Sequence, residues 1–123
     1  PNEGDQTRLF EKKICNFLKI KYAVCVTSGT TAIFLALKAC GIKVGDEVII
    51  PNITFPATAN AVKMSGGKPV LVDVNPKTLL IDQESLIKKI NRRTKFVIPV
   101  HVSEEDQILK KSYQFVKKIQ LKL

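Results

Sequence analysis

The chain has 123 residues, 45% of them hydrophobic and 25% charged, with a formal charge of +9. That length fits one domain at most, and the composition excludes a disordered chain. A single His excludes a site built on several histidines, and three cysteines without a CxxC pair fit reduced thiols better than a disulfide framework or a structural zinc site.

Residues 7–19 carry Leu9, Phe10, Ile14, Phe17 and Leu18 at helical spacing, which predicts an amphipathic helix. Residues 22–26 are almost wholly apolar and predict a short buried strand. Residues 30–40 predict a second helix with Ala32, Leu35, Ala36 and Ala39 on one stripe, ended by Gly41. Residues 47–50 predict a strand stopped by Pro51. Residues 56–65 follow as a helix with Pro56 in its first turn and Gly66-Gly67 at its close. A strand at 69–73, a turn at 75–78, a short helix at 83–91 capped by Asp82, and a strand at 95–100 complete the pattern. Strands that are continuously apolar and alternate with helices predict an α/β fold with a mainly parallel sheet covered on both faces. Residues 104–123 place Leu109, Tyr113, Val116 and Ile119 at helical spacing among Lys pairs, a basic amphipathic tail distinct from residues 1–103.

Seventeen of the twenty basic residues are Lys, scattered as pairs such as Lys12-Lys13 and Lys88-Lys89. Base readout and phosphate forks favour Arg, and single-strand binding needs aromatics interleaved with the charge. No specific nucleic-acid partner is therefore expected, and the lysines read as solvated helix faces. A non-enzymatic basic binding module stands as the rival reading, and its mark would be salt-dependent retention on heparin or DNA at physiological ionic strength, not lost by moderate salt. Neither an apolar leader nor an apolar run of about 20 residues is present, so the expectation is a cytoplasmic protein without a membrane partner.

Three places suit chemistry. Thr27-Ser28-Gly29-Thr30-Thr31 lies between a predicted strand and a helix start. Unpaired N–H groups and the positive dipole end there suit a phosphate. Gly29 permits close approach, and Ser28, Thr30 and Thr31 supply hydroxyls. The same residue types are also ordinary helix caps. No P-loop Lys and no GxGxxG accompany them. Asn52 to Asn60 leaves the carboxyl end of the second strand, where open α/β sheets bind ligands. Phe55 suits stacking on a flat ring, with Thr54, Thr58 and Asn60 as hydrogen-bonding groups, or else it is a core residue beside a Pro-initiated helix. His101, at the end of the fourth strand, is either a base or a satisfied structural group. Nothing here suits a metal.

These motifs, taken in order, resemble the N-terminal part of the DegT/DnrJ/StrS aminotransferases over residues 7 to 103. The resemblance is carried by Phe10-Glu11, Tyr22-Ala23-Val24, Thr27 to Ala32, Gly45 to Pro51, Thr54 to Ala61, Gly67 to Val70, Val72-Asp73-Val74, Arg93-Thr94-Lys95 and Ile98 to His101. It implies part of the large domain of the fold type I transferases that use pyridoxal 5'-phosphate. Residues matching Gly29, Thr30 and Thr31, with Ser28, would hold the cofactor phosphate, and Phe55 would stack on the pyridine ring. Thr58, Asn60 and His101 would lie toward the substrate. The implied reaction moves an amino group from glutamate to a nucleotide-linked keto-sugar, as in lipopolysaccharide or O-antigen synthesis, in a homodimer.

After Ser103 the sequence departs from the family pattern by running into Glu104-Glu105-Asp106. No Lys stands in the family's Schiff-base context, and the acidic partner of the pyridine nitrogen is not found. No catalytic residue is therefore assigned, and the expectation is a truncated large domain that is inactive alone. Some family members are sugar-nucleotide dehydratases with His in place of the Schiff-base Lys. That alternative turns on a position beyond Leu123.

Overall fold

Val48, Ile49 and Ile50 form the most apolar run of the chain, and all three are fully buried. The computed structural model describes residues 4–102, and the predicted tail at 104–123 lies outside them. The described elements are α1 (Asp5–Leu18), α2 (Gly29–Ala39), β1 (Glu47–Pro51), α3 (Ala57–Met64), β2 (Lys68–Val72), α4 (Gln83–Lys89) and β3 (Thr94–Val97). The strands make one parallel sheet in the order β2-β1-β3. β1 is the central strand, and each of its five residues is buried. Parallel strands with covered faces have no reason to alternate polar and apolar side chains, which is why this strand reads as continuous apolar sequence.

The two faces are distinct. Val48 and Ile50 pack with Leu37 of α2, Ile42 and Val62 of α3, with Ile33, Ala59, Phe96 and Ile98 around them. Ile49 points the other way, onto Val72 and Leu86 of α4, with Val70, Ile81, Ile90 and Val97. The two-residue side-chain period of a strand therefore sorts neighbouring residues into separate cores. The carboxyl ends of the strands face one edge, where residues 52–55, Asp73 and residues 98–101 emerge.

The opposite edge is held by Glu47, only 3% exposed. Its carboxylate accepts from Asn91 Nδ2 at 2.7 Å, meets Arg93 Nη2 at 3.1 Å and lies 3.9 Å from Lys68 Nζ. Its N–H donates to the Arg93 carbonyl at 2.8 Å. One buried acid thus ties the start of β1 to the starts of both neighbours. Glu47→Ala is expected to cost about 1.5–3 kcal/mol, the usual worth of a hydrogen bond to a charged group. Urea denaturation should show a lowered midpoint, while Glu84→Ala, which breaks only the exposed pair with Lys88, should leave it in place.

Four expectations from sequence change. Residues 22–26 form no strand. The described sheet offers them no ladder, Cys25 N–H donates instead to Glu11 Oε1 at 2.7 Å, and Tyr22 and Val24 are 74% and 76% exposed. An extended segment becomes a strand only where a partner takes its backbone groups. The first helix forms as expected, yet none of its residues is buried. In α2 the residues facing the core are Ile33 and Leu37, whereas Ala32, Leu35, Ala36 and Ala39 are exposed. This helix is apolar nearly all round, so spacing alone cannot choose its inner face and packing decides. The last strand stops at Val97. Ile98 N–H still reaches the Ile49 carbonyl at 2.9 Å, but Pro99 has no N–H with which to continue.

The predicted cap and turn are found. Asp82 Oδ2 accepts from Ser85 N–H at 2.8 Å, and the Asn75 carbonyl accepts from Thr78 and Leu79 N–H.

Candidate functional site

Two of the segments expected from sequence to carry chemistry each stand at the start of a helix. Ser28 is the N-cap of α2, extended at φ −160° and ψ 160°. Its Oγ accepts from Thr31 N–H at 3.1 Å and lies 3.0 Å from Thr31 Oγ1, which in turn is 3.4 Å from Thr27 Oγ1. Ala32 N–H donates to the Ser28 carbonyl at 3.0 Å. Capping therefore uses Ser28 and the third and fourth N–H groups of the turn. Among the described residues, the N–H groups of Gly29 and Thr30 have no acceptor.

These two donors point out of the positive end of an 11-residue helix whose first turn holds no acidic residue. A Cβ built on Gly29 meets nothing within 4 Å. The space over this turn is open, and a side chain at Gly29 would project into it. Free N–H groups, adjacent hydroxyls and open space are the features an anion would need at a helix start. The cap is observed, and it leaves the Gly29 and Thr30 N–H groups of the same turn uncommitted.

The second segment joins β1 to α3. Asn52 N–H donates to the Val72 carbonyl at 2.8 Å and Asn52 Nδ2 to Asp73 Oδ1 at 3.0 Å. At the other end Thr54 Oγ1 and Thr58 Oγ1 lie 2.9 Å apart, and Thr58 N–H donates to the Phe55 carbonyl at 3.1 Å. Phe55 itself is 77% exposed. Among the described residues it is therefore a presented ring and not part of a core. α2 and α3 share one apolar cluster through Ile33, Leu37, Ala59 and Val62.

The remaining predicted residues are placed differently. Thr58 is buried, with its hydroxyl on Thr54, so it braces the turn. Asn60 is exposed on the first turn of α3, and its N–H bonds to the Pro56 carbonyl. His101 is exposed four residues past the end of β3. The contact between Asn52 and Asp73 is one that residue spacing does not announce. Each follows its strand directly, and the parallel register pairing Pro51 with Val72 sets them side by side, a signal that appears only once the strands are known to be neighbours. No group of His, Cys, Asp and Glu able to hold a metal ion occurs among the described residues, and none of their helices is long and apolar enough to cross a membrane.

The sequence model of the DegT/DnrJ/EryC1/StrS aminotransferase family matches residues 1–113. The chain belongs to this family. It is 39% identical over 120 residues to the 3-oxo-glucose-6-phosphate:glutamate aminotransferase of Bacillus subtilis, covering 98% of this chain and 27% of that protein. It is 46% identical over 93 residues to the GDP-perosamine synthase of Caulobacter vibrioides, covering 76% and 25%. Among solved structures, NtdA of Bacillus subtilis with bound cofactor PMP superposes with a TM-score of 0.79 at 39% identity, covering 91% of this chain and 27% of that one. The chain thus spans about a quarter of the length of these DegT/DnrJ/EryC1/StrS relatives.

Proposed function

We propose that the protein acts as a pyridoxal-phosphate-dependent aminotransferase on a nucleotide-linked keto-sugar. Glutamate would be the amino donor and 2-oxoglutarate the co-product, in a cytoplasmic pathway of amino-sugar synthesis such as that for O-antigen. Family membership supports the reaction class, and the names of the two curated relatives support a sugar acceptor. The single observation in this chain that carries the reading is the first turn of α2, where two N–H groups have no acceptor among the described residues and a Cβ on Gly29 would meet nothing within 4 Å.

The residues fit the cofactor. Gly29 and Thr30 would bind its phosphate through their N–H groups, with the Ser28, Thr30 and Thr31 hydroxyls beside them. Phe55, exposed at the start of α3, would lie against the ring. When bound, the cofactor supplies the electron sink through which an amine is exchanged for a carbonyl. This chain's part is to bind and orient. Asn60 and His101 are the residues offered to the substrate. Self-association into a homodimer belongs to the same proposal, and the exposed Phe10, Phe17 and Tyr22 are apolar surface available for it.

Pyridoxamine 5'-phosphate is the probe of choice, because the chain's lysines would trap the aldehyde form indiscriminately. The purified chain is expected to bind it weakly and saturably, in competition with inorganic phosphate. Given glutamate and a nucleotide-linked keto-sugar, the chain alone is expected to release no 2-oxoglutarate. Binding that phosphate does not compete with would remove the helix start from the site. Release of 2-oxoglutarate would show that these residues include the whole amine-transfer apparatus. Sugar dehydration without consumption of glutamate, in a protein containing this chain, would favour the dehydratase reaction instead.

A further inference from the structure

We propose that Asp73 is a positioning residue for Phe55, acting through Asn52. This inference rests on the reading of Phe55 as the ring platform. Phe55 is 77% exposed, so core packing does not fix it, and its place depends on how the short connection from Pro51 to Pro56 is tied down. The far end is tied to α3 by the Thr54–Thr58 hydroxyl pair and by the bond from Thr58 N–H to the Phe55 carbonyl. At the near end, the side-chain tie is Asn52 Nδ2 to Asp73 Oδ1 at 3.0 Å. A carboxylate only accepts, so the amide nitrogen of Asn52 must face it, and the orientation of that side chain is determined.

Asp73 is itself well placed to serve as an anchor. Its N–H donates to Ser85 Oγ at 3.0 Å and its carbonyl accepts from Asp82 N–H at 2.8 Å. Asp82 in turn caps α4 through Ser85 N–H at 2.8 Å. The carboxylate is therefore carried by a backbone bonded to the start of α4, whose Leu86 is packed in the core beneath the sheet. Rigidity passes from that core to Asp73, from Asp73 to Asn52, and from Asn52 to the connection that presents Phe55. A site held by such supporting bonds keeps its geometry where exposed side chains alone would not.

The test is backbone 15N relaxation on the full chain. In the wild type, Ile53, Thr54 and Phe55 should show order parameters near 0.85, and in Asp73→Ala these should fall below about 0.6. Val72 and Leu86 should be unchanged. Asp73→Asn keeps an acceptor oxygen and should restore most of the order, which a merely structural loss of charge would not. Asn52→Ala removes the same bond from its exposed end and gives the answer if Asp73→Ala does not fold. Unchanged order at residues 53–55 in a folded Asp73→Ala or Asn52→Ala overturns the proposal.

The chain contains no Trp, so Phe55→Trp places one reporter on the platform. Pyridoxamine 5'-phosphate should quench it by energy transfer, and Asp73→Ala should weaken that quenching. No quenching in Phe55→Trp itself would overturn the ring-platform reading, whereas the relaxation result judges the tie independently.

Discussion

Gly29→Pro is expected to leave the melting temperature of the chain nearly unchanged while lowering its affinity for pyridoxamine 5'-phosphate about 10- to 100-fold. Gly29 is the first residue of α2, a position where Pro is accepted because its missing N–H takes no part in the helix. The residue before it, Ser28, already has the extended backbone that precedes Pro comfortably. Gly29 is not among the glycines with positive φ, so the helical dihedrals suit a substitution. What the change removes is one of the two N–H groups that have no acceptor in the described structure. A hydrogen bond to a charged group is worth about 1.5–3 kcal/mol, which sets the expected loss.

Gly29→Ala should act on the same function by another route. Its methyl group meets no protein atom, so folding should be unaffected or slightly favoured, but it projects into the space over the turn. Ser28→Ala makes the informative contrast. It removes the cap on Thr31 N–H and should cost about 1 kcal/mol of stability. Isothermal titration beside thermal melts separates the two effects. Full phosphate-competed affinity in Gly29→Pro would show that the helix start does not hold the phosphate.

Ile49→Ala is expected to destabilise the chain by about 2–5 kcal/mol, as emptying a fully buried aliphatic site does. Against the total of about 5–15 kcal/mol typical of domains, that loss brings the folded state close to its limit. Ile49 sits in the middle of the central strand, 0% exposed, and fills the space between β1 and Leu86 of α4. The cost should reach function as well, because Asp73 takes its position from the same α4. Leu71→Ala on the adjacent strand, where the side chain is 56% exposed, should change stability by less than about 0.5 kcal/mol. Urea titrations of both variants, followed by far-UV circular dichroism, check the pair. Equal midpoints would contradict the two-core arrangement of the sheet.

The candidate site was legible where its chemistry depends on local sequence. Thr27 to Thr31 declare a helix start by residue type, and Ser28 caps that helix as its type suggests. Phe55 was visible as a residue leaving the carboxyl end of a strand, although sequence left open whether its ring was buried. The contact between Asn52 and Asp73 was not legible. They lie 21 positions apart and meet only because β1 and β2 are paired in parallel.

Taken alone, the sequence determined the helices, the buried apolar strand at 47–50, the caps and the family. These depend on runs of neighbouring residues, and the free energies of capping, turn formation and apolar patterning are set over a few positions. Tertiary structure decided the rest. It chose Ile33 and Leu37 as the inner face of α2, left residues 22–26 without a ladder, and brought Glu47 to Asn91 and Asp73 to Asn52. Each of these is a choice among partners distant in the chain. An apolar residue gains nearly the same from any core that buries it, and a backbone segment from any strand that pairs with it. Only the assembled sheet, with its fixed order and register, settles which partner is within reach.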